Sequence, residues 1–252
     1  MVRESSNLPQ MVTFRAWALI LVFLVVGCRA SRVPITGQYE GKESPKAPPI
    51  TVNSVGRAHI EGPGDTDAYG GTCFLLKGGK GSLLVGAYHV LKRVRPESKL
   101  TLVSQIPELA LPRGGPLDIA YQGTSSYVQP VEECYARGDL AAFRTDKVAQ
   151  KAEVLEAAAT DAKIGEPVWV VELNGRNGRV TGHKLVQGVV AYHSNYSLVI
   201  RMKKVTTVQA TSGAPVVNAK GEVVGINVGY FQNEKGYFRI ACPGESVRRL
   251  VE

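Results

Sequence analysis

The chain has 252 residues, of which 44% are hydrophobic and 21% charged, a balance that fits a folded globular protein and excludes a disordered or fibrous one. The formal net charge is +8, but the basic residues are scattered and never interleaved with aromatics as in a nucleic-acid-binding module, so no nucleic-acid partner is expected. There is no internal repeat and no dominant low-complexity tract.

At the N-terminus, Arg3 and Arg15 precede an apolar run from Ala16 to Val26, which ends in Gly27, Cys28 and charged Arg29. The run is shorter than the about 20 apolar residues that a spanning helix requires. Basic residues before it and a small residue after it give the pattern of a signal peptide over residues 1–27. Val25-Val26-Gly27-Cys28 also resembles the lipobox of bacterial lipoproteins. The resemblance implies lipidation at Cys28 and an exported protein tied to the membrane of the bacterial cell envelope. A plain signal peptide or an uncleaved anchor are the other readings. Residues 28–50 are polar and Pro-rich, ending Pro45-Lys46-Ala47-Pro48-Pro49-Ile50, and predict a partly extended tether.

From residue 51 onward, short apolar runs rich in β-branched and aromatic residues alternate with turn residues. Strands are predicted over 71–77, 82–87, 99–104, 117–122, 127–135 and 140–144, and then over 167–172, 184–193, 197–202, 214–218, 223–229 and 237–241. Gly-rich and Asn-rich turns separate them, as at Leu173-Asn174-Gly175-Arg176-Asn177-Gly178 and Asn218-Ala219-Lys220-Gly221. Between the two groups, 147–159 is rich in Ala and Glu and predicts a helical connector, or a strand pair with misleading propensity. A short C-terminal helix over 244–251 follows Pro243. The fold class is therefore all-β, with six strands on each side of the middle segment, as two antiparallel barrels with a cleft between them would give. The first barrel covers about 51–146 and the second about 160–242. Cys73, Cys134 and Cys242 fit no zinc spacing and are expected as buried thiols; their odd number leaves at least one unpaired.

Three segments carry chemistry. Thr211-Ser212-Gly213-Ala214-Pro215 places a serine in a tight turn before a strand, exposed for attack and beside backbone N–H donors for a developing oxyanion. Val85-Gly86-Ala87-Tyr88-His89 puts a histidine at the end of an apolar strand, and Gly138-Asp139-Leu140-Ala141 puts an aspartate at the start of another. A carboxylate that accepts from one imidazole nitrogen leaves the other to take a serine proton.

At these three places the chain resembles the trypsin-like peptidase superfamily, particularly its bacterial HtrA-like branch. The shared marks are the small residues before the histidine, Asp-Leu-Ala, and Ser-Gly-x-Pro followed by Asn, Gly and a Val-Gly-Ile strand, in the order His, Asp, Ser. The resemblance covers residues 52 to 252. It implies two six-stranded barrels with the triad at their junction, peptide-bond hydrolysis and no cofactor or metal. By the same resemblance Ser212 is the nucleophile, His89 the general base and acid, and Asp139 the orienter. The oxyanion donors are the N–H groups of Ala210 and Ser212. The substrate pocket draws on Thr206, Thr207, Ile226, Asn227 and Val228. No acidic residue is near Thr206 in sequence, so a small or apolar side chain is the expected occupant. No PDZ-like domain is expected after the second barrel.

The chain departs from the family pattern at Ala210, where the family has Gly, at Ala214, where a second Gly is common, and at Tyr88, which replaces a smaller residue. A left-handed alanine costs about 1–2 kcal/mol, so the oxyanion turn is strained, formed only on binding, or absent. Asp118 is a rival orienter, because it too precedes an apolar pair. His59, His183 and His193 lack partners at ligand spacing and are expected to be structural. The leading expectation is a serine endopeptidase with protein or peptide substrates. The alternative is an inactive, protease-like lipoprotein that binds peptides or acts as a scaffold; an esterase using the same triad is a third.

Overall fold

The computed structural model describes residues 45–50, 54–62, 65–79, 81–92, 94, 99–103, 119–122, 138–145, 153–175, 179–206 and 210–252. The apolar run before Cys28, Cys28 itself, the predicted strand 127–135, Asp118, Cys134 and Thr207 lie outside them.

The strands in chain order are β1 (Val55–Gly62), β2 (Asp65–Gly78), β3 (Gly81–Gly86), β4 (Lys99–Val103), β5 (Ile119–Gln122) and β6 (Ala141–Thr145). The second group is β7 (Pro167–Asn174), β8 (Gly182–His193), β9 (Leu198–Met202), β10 (Pro215–Val217), β11 (Val223–Asn233) and β12 (Gly236–Pro243). One short helix, α1 (Tyr88–Leu91), follows β3, and α2 (Gly244–Val251) ends the chain. The first group forms a six-stranded antiparallel sheet in the order β4-β1-β2-β3-β6-β5. The second closes into a barrel in the order β10-β11-β12-β9-β8-β7. Closure comes where Val216 and Val217 of β10 pair with Val170 and Trp169 of β7.

The unbroken apolar runs of the sequence are strands buried on both faces. Along β2, Cys73 and Leu75 point into the core of the first sheet, while Phe74 and Leu76 join a second core shared by both groups of strands. Along β7, Val168 and Val170 point into the barrel, while Trp169 and Val171 reach the shared core. The shared core also holds Leu140, Val217, Ile226, Ile240 and Val247, so it fixes the two sheets against each other. Burying Phe74 completely contributes about 1.5–3 kcal/mol by area alone.

The structure decides one element that the sequence left open and adds one that it did not predict. Residues 153–159 are not helical. Leu155 exchanges backbone bonds with β2 (its N–H to Leu75 O at 2.9 Å, its O from Lys77 N–H at 2.8 Å). Ala158 N–H then donates to Val223 O at 2.9 Å, and Glu156 O accepts from Val223 N–H at 2.8 Å. Helix propensity is a fraction of a kcal/mol per residue, and two sheet edges that need partners override it. Strand β1 was not predicted, because Gly56, Arg57 and His59 break its apolar pattern. Its buried residues, Val55, Ala58 and Ile60, are too few and too irregularly spaced to signal a strand.

Candidate active site

The β3–β6 pairing brings the first two residues together. Gly86 is opposite Ala141 in the register, so the residues just after β3 and just before β6 emerge at the same end of adjacent strands. His89 lies in the single turn of α1, which has no side-chain cap on Ala87. Asp139, 1% exposed, takes that role and a second one. Its Oδ1 accepts the His89 backbone N–H at 2.8 Å, and its Oδ2 lies 2.6 Å from His89 Nδ1. An ionised carboxylate can only accept, so the ring proton is on Nδ1 and Nε2 is the basic nitrogen. Cys242 Sγ donates to the Asp139 carbonyl at 3.6 Å from the barrel side. Tyr88 packs on the core of the first sheet beside Leu91.

Ser212 is in the tight turn expected of it. Ala214 N–H donates to Thr211 O at 3.0 Å, Gly213 N–H to Asn227 O at 2.7 Å, and Asn227 Nδ2 to Thr211 O at 2.8 Å. Gly213 has φ +88, a left-handed value that suits glycine. A methyl group there would lie 2.0 Å from Thr72 O and 3.0 Å from Ala87 N. The serine turn is therefore seated against β2 and against Ala87, the residue just before the histidine helix. Thr72 N–H donates to Ser212 O at 2.8 Å and fixes that seat.

Ala210 has φ +59 and is the one non-glycine residue with positive φ among those described. The left-handed turn is kept in spite of its Cβ, at a cost of about 1–2 kcal/mol. The Thr72 hydroxyl donates to Ala210 O at 2.8 Å, a bond worth about 0.5–1.5 kcal/mol net.

The expected pocket residues divide. Ile226, Asn227 and Val228 are buried. Ile226 lies in the shared core and Asn227 braces the serine turn, so their side chains do not line an open pocket. Thr206 is half-buried, and an acidic group from a distant part of the sequence, Glu172, lies beside it. Its Oγ1 donates to Glu172 Oε1 at 2.7 Å. That carboxylate is fully engaged, with Arg239 Nη2 2.7 Å from Oε1 and Lys184 Nζ 3.0 Å from Oε2. Both of its oxygens are thus taken up within the protein, by Arg239 and Thr206 on one side and Lys184 on the other. Arg239 Nη1 also donates to Thr211 Oγ1 at 2.7 Å, next to the serine. Glu172 and Arg239 were missed because 67 residues separate them and neither motif includes them.

Cys73 and Cys242 are buried thiols, not joined in a disulfide. Burial pushes the Cys73 thiol up to about 12 and raises Cys242 as well, aided in the second case by the Asp139 charge. Neither is ionised near neutral pH, so neither is a nucleophile. Among the described residues no three His, Cys, Asp or Glu side chains are placed to hold a metal ion.

The sequence profile of the trypsin-like peptidase domain matches residues 71–226. The chain belongs to the trypsin-like peptidase family. The match contains His89, Asp139 and Ser212, and it runs from the strand that seats the serine turn to the strand that braces it. Among solved structures, the chain is similar to a serine endoprotease from Yersinia pestis, with 16% identity and a TM-score of 0.52. The alignment covers 79% of this chain and 63% of that one. It is also similar to the HtrA-type protease AlgW with decapeptide (13% identity, TM-score 0.48, covering 79% of this chain and 64% of that one). The MamO protease domain from Magnetospirillum magneticum, in its apo form, matches at 17% identity and a TM-score of 0.45, covering 80% of this chain and 97% of that one. The chain thus spans less than two thirds of the first two structures, and at these identities the likeness concerns the fold. No curated protein matches.

Proposed function

We propose that the protein is a serine endopeptidase working through an acyl-enzyme. The observation that carries this reading is the His89–Asp139 pair, joined at 2.6 Å, with Ala87, the residue just before the histidine helix, lying against the serine turn. Ser212 Oγ attacks the scissile carbonyl while His89 Nε2 takes its proton. Asp139, buried and bonded to Nδ1, stabilises the imidazolium that forms. The N–H groups of Ala210 and Ser212 receive the oxyanion, a contribution of about 10²–10³ in rate per donor. His89 returns the proton to the leaving amine, and water then repeats the cycle to release the acid. Protein or peptide segments with small or apolar side chains at the cleavage site are the proposed substrates. Ala210 in the left-handed conformation supports turnover over the inactive, peptide-binding alternative. By the sequence of its N-terminus, the enzyme is anchored to the cell envelope through Cys28.

The test is reaction of the full chain, purified in detergent, with a fluorophosphonate probe, followed by peptide mass spectrometry. The expected adduct is on Ser212 and is lost in Ser212→Ala and His89→Ala. A folded wild-type protein that stays unlabelled overturns the reading.

A further inference from the structure

We propose that Thr72 is a positioning residue for the oxyanion site: its hydroxyl holds Ala210 in the left-handed conformation that aims the Ala210 N–H beside that of Ser212. The inference rests on reading Ser212 as the nucleophile.

Thr72 is fully buried on β2, yet it spends both of its donors on the serine turn of the other group of strands. Its backbone N–H donates to Ser212 O and its Oγ1 to Ala210 O, each at 2.8 Å. These two bonds hold the peptide that follows Ala210 and the peptide that follows Ser212. With the peptide after Ala210 held, the direction of the Ala210 N–H depends on the φ and ψ of Ala210, and φ stands at +59.

A glycine rests at such a value without help, and an alanine does not. Freed from its tether, the Ala210 carbonyl can swing so that φ becomes negative, which carries the Ala210 N–H away from the Ser212 N–H. The paired donors that an oxyanion needs are then lost, with His89 and Asp139 untouched. The Thr72 hydroxyl therefore compensates for the alanine. Val, which has the same shape, retains the N–H bond and removes only this one, whereas Ser retains both.

The experiment compares Thr72→Val, Thr72→Ser and Ala210→Gly with the double variant Thr72→Val/Ala210→Gly in the full chain. The rate of fluorophosphonate labelling at Ser212 is measured, and residue 210 is examined in a crystal structure of each. Thr72→Val is expected to slow labelling roughly tenfold or more, given the size of a single oxyanion donor's contribution. Thr72→Ser restores most of that loss. In the Ala210→Gly background the valine costs less than about threefold, because glycine needs no tether. The crystal structure of Thr72→Val shows φ of Ala210 negative.

Equal losses from Thr72→Val in the Ala and Gly backgrounds, or a φ still near +59 without the hydroxyl, overturn the proposal. A wild-type protein that does not label instead removes the nucleophile reading, and φ of residue 210 then decides the tether by itself. If Thr72→Val does not fold, Thr72→Ala removes the same hydroxyl and carries the same expectations.

Discussion

A methyl group added at Gly71 would stand 2.2 Å from the Ser212 carbonyl oxygen and 3.1 Å from Val90. The first contact is with backbone and cannot be relieved by a rotamer change. In Gly71→Ala the serine turn must back away from β2, which breaks the Thr72 N–H bond to Ser212 O. Overpacking of this kind costs about 1–3 kcal/mol, a loss the fold can absorb. The expected outcome is a folded protein by circular dichroism whose labelling at Ser212 falls by roughly tenfold or more, about 1.4 kcal/mol of barrier. Gly81→Ala is the control: it strains a residue at φ +123 but meets nothing within 4 Å, so labelling stays at the wild-type rate. Equal labelling in the two variants would show that the seat on β2 does not matter. The sequence speaks clearly at this scale only where one segment is sufficient. Ser212, His89 and Asp139 are each visible in a run of a few residues with its own turn chemistry. Gly71 and Thr72 are invisible there, because Gly71 faces Ser212 and Thr72 bonds Ala210, 138 residues further along the chain.

Among the elements, the barrel interior has one feature that alternation alone would not reveal. Val168, Val170 and Glu172 share the inward face of β7, and Tyr237, Arg239 and Ala241 share that of β12. The two strands are not neighbours in the barrel order, so the Glu172–Arg239 bridge crosses the lumen. Arg239 is fully buried, its guanidinium lies 5.4 Å from the centre of the Tyr237 ring, and burial raises the Tyr237 phenol above its ordinary range. Glu172→Leu removes the carboxylate that the buried Arg239 guanidinium pairs with, whereas Lys184, nearly half exposed, can turn to water. The expected loss is about 3–5 kcal/mol, read as a lower urea midpoint at unchanged slope. The double variant Glu172→Leu/Arg239→Met should recover most of it, because no buried charge remains. A single-variant loss below about 1 kcal/mol would mean that the bridge is hydrated in solution. Strands β7 and β12 themselves were legible as apolar runs. Their pairing across the lumen was not, since periodicity assigns a face and never a partner. The segment 153–159, left between a helical connector and a strand pair with misleading propensity, stayed open for the same reason: its bonds run to Leu75, Lys77 and Val223, far along the chain.

For the whole molecule, the chain returns on itself before it ends. Helix α2 follows the last barrel strand, yet Val251 O accepts from Gly79 N–H at 3.1 Å, and Val247 joins the core shared by both sheets. At the other end, Pro49 O lies 3.2 Å from where a Gly221 methyl would be, and Ile50 packs on the shared core, so the chain is docked at residues 49 and 50. Residues 28–44 precede the described part, a length of chain that spans at most about 60 Å when extended. Two forces compete to hold such a protein at a membrane. Basic residues near an anionic surface contribute about 1 kcal/mol each, and salt screens them within a Debye length. Acyl chains contribute about 0.8 kcal/mol per buried CH₂, and salt does not weaken them. With a net charge of +8 spread over the sequence, few of the basic residues can face the bilayer together, so the lipid term dominates if Cys28 is acylated. In a bacterial host the wild-type protein should therefore sediment with membranes and stay there through a wash in 1 M salt, where the Debye length is about 3 Å. Cys28→Ser should move it to the soluble fraction, or leave it bound by an uncleaved apolar run that runs larger on a gel. Release of the wild type by salt alone would assign the attachment to charge and overturn the lipid anchor.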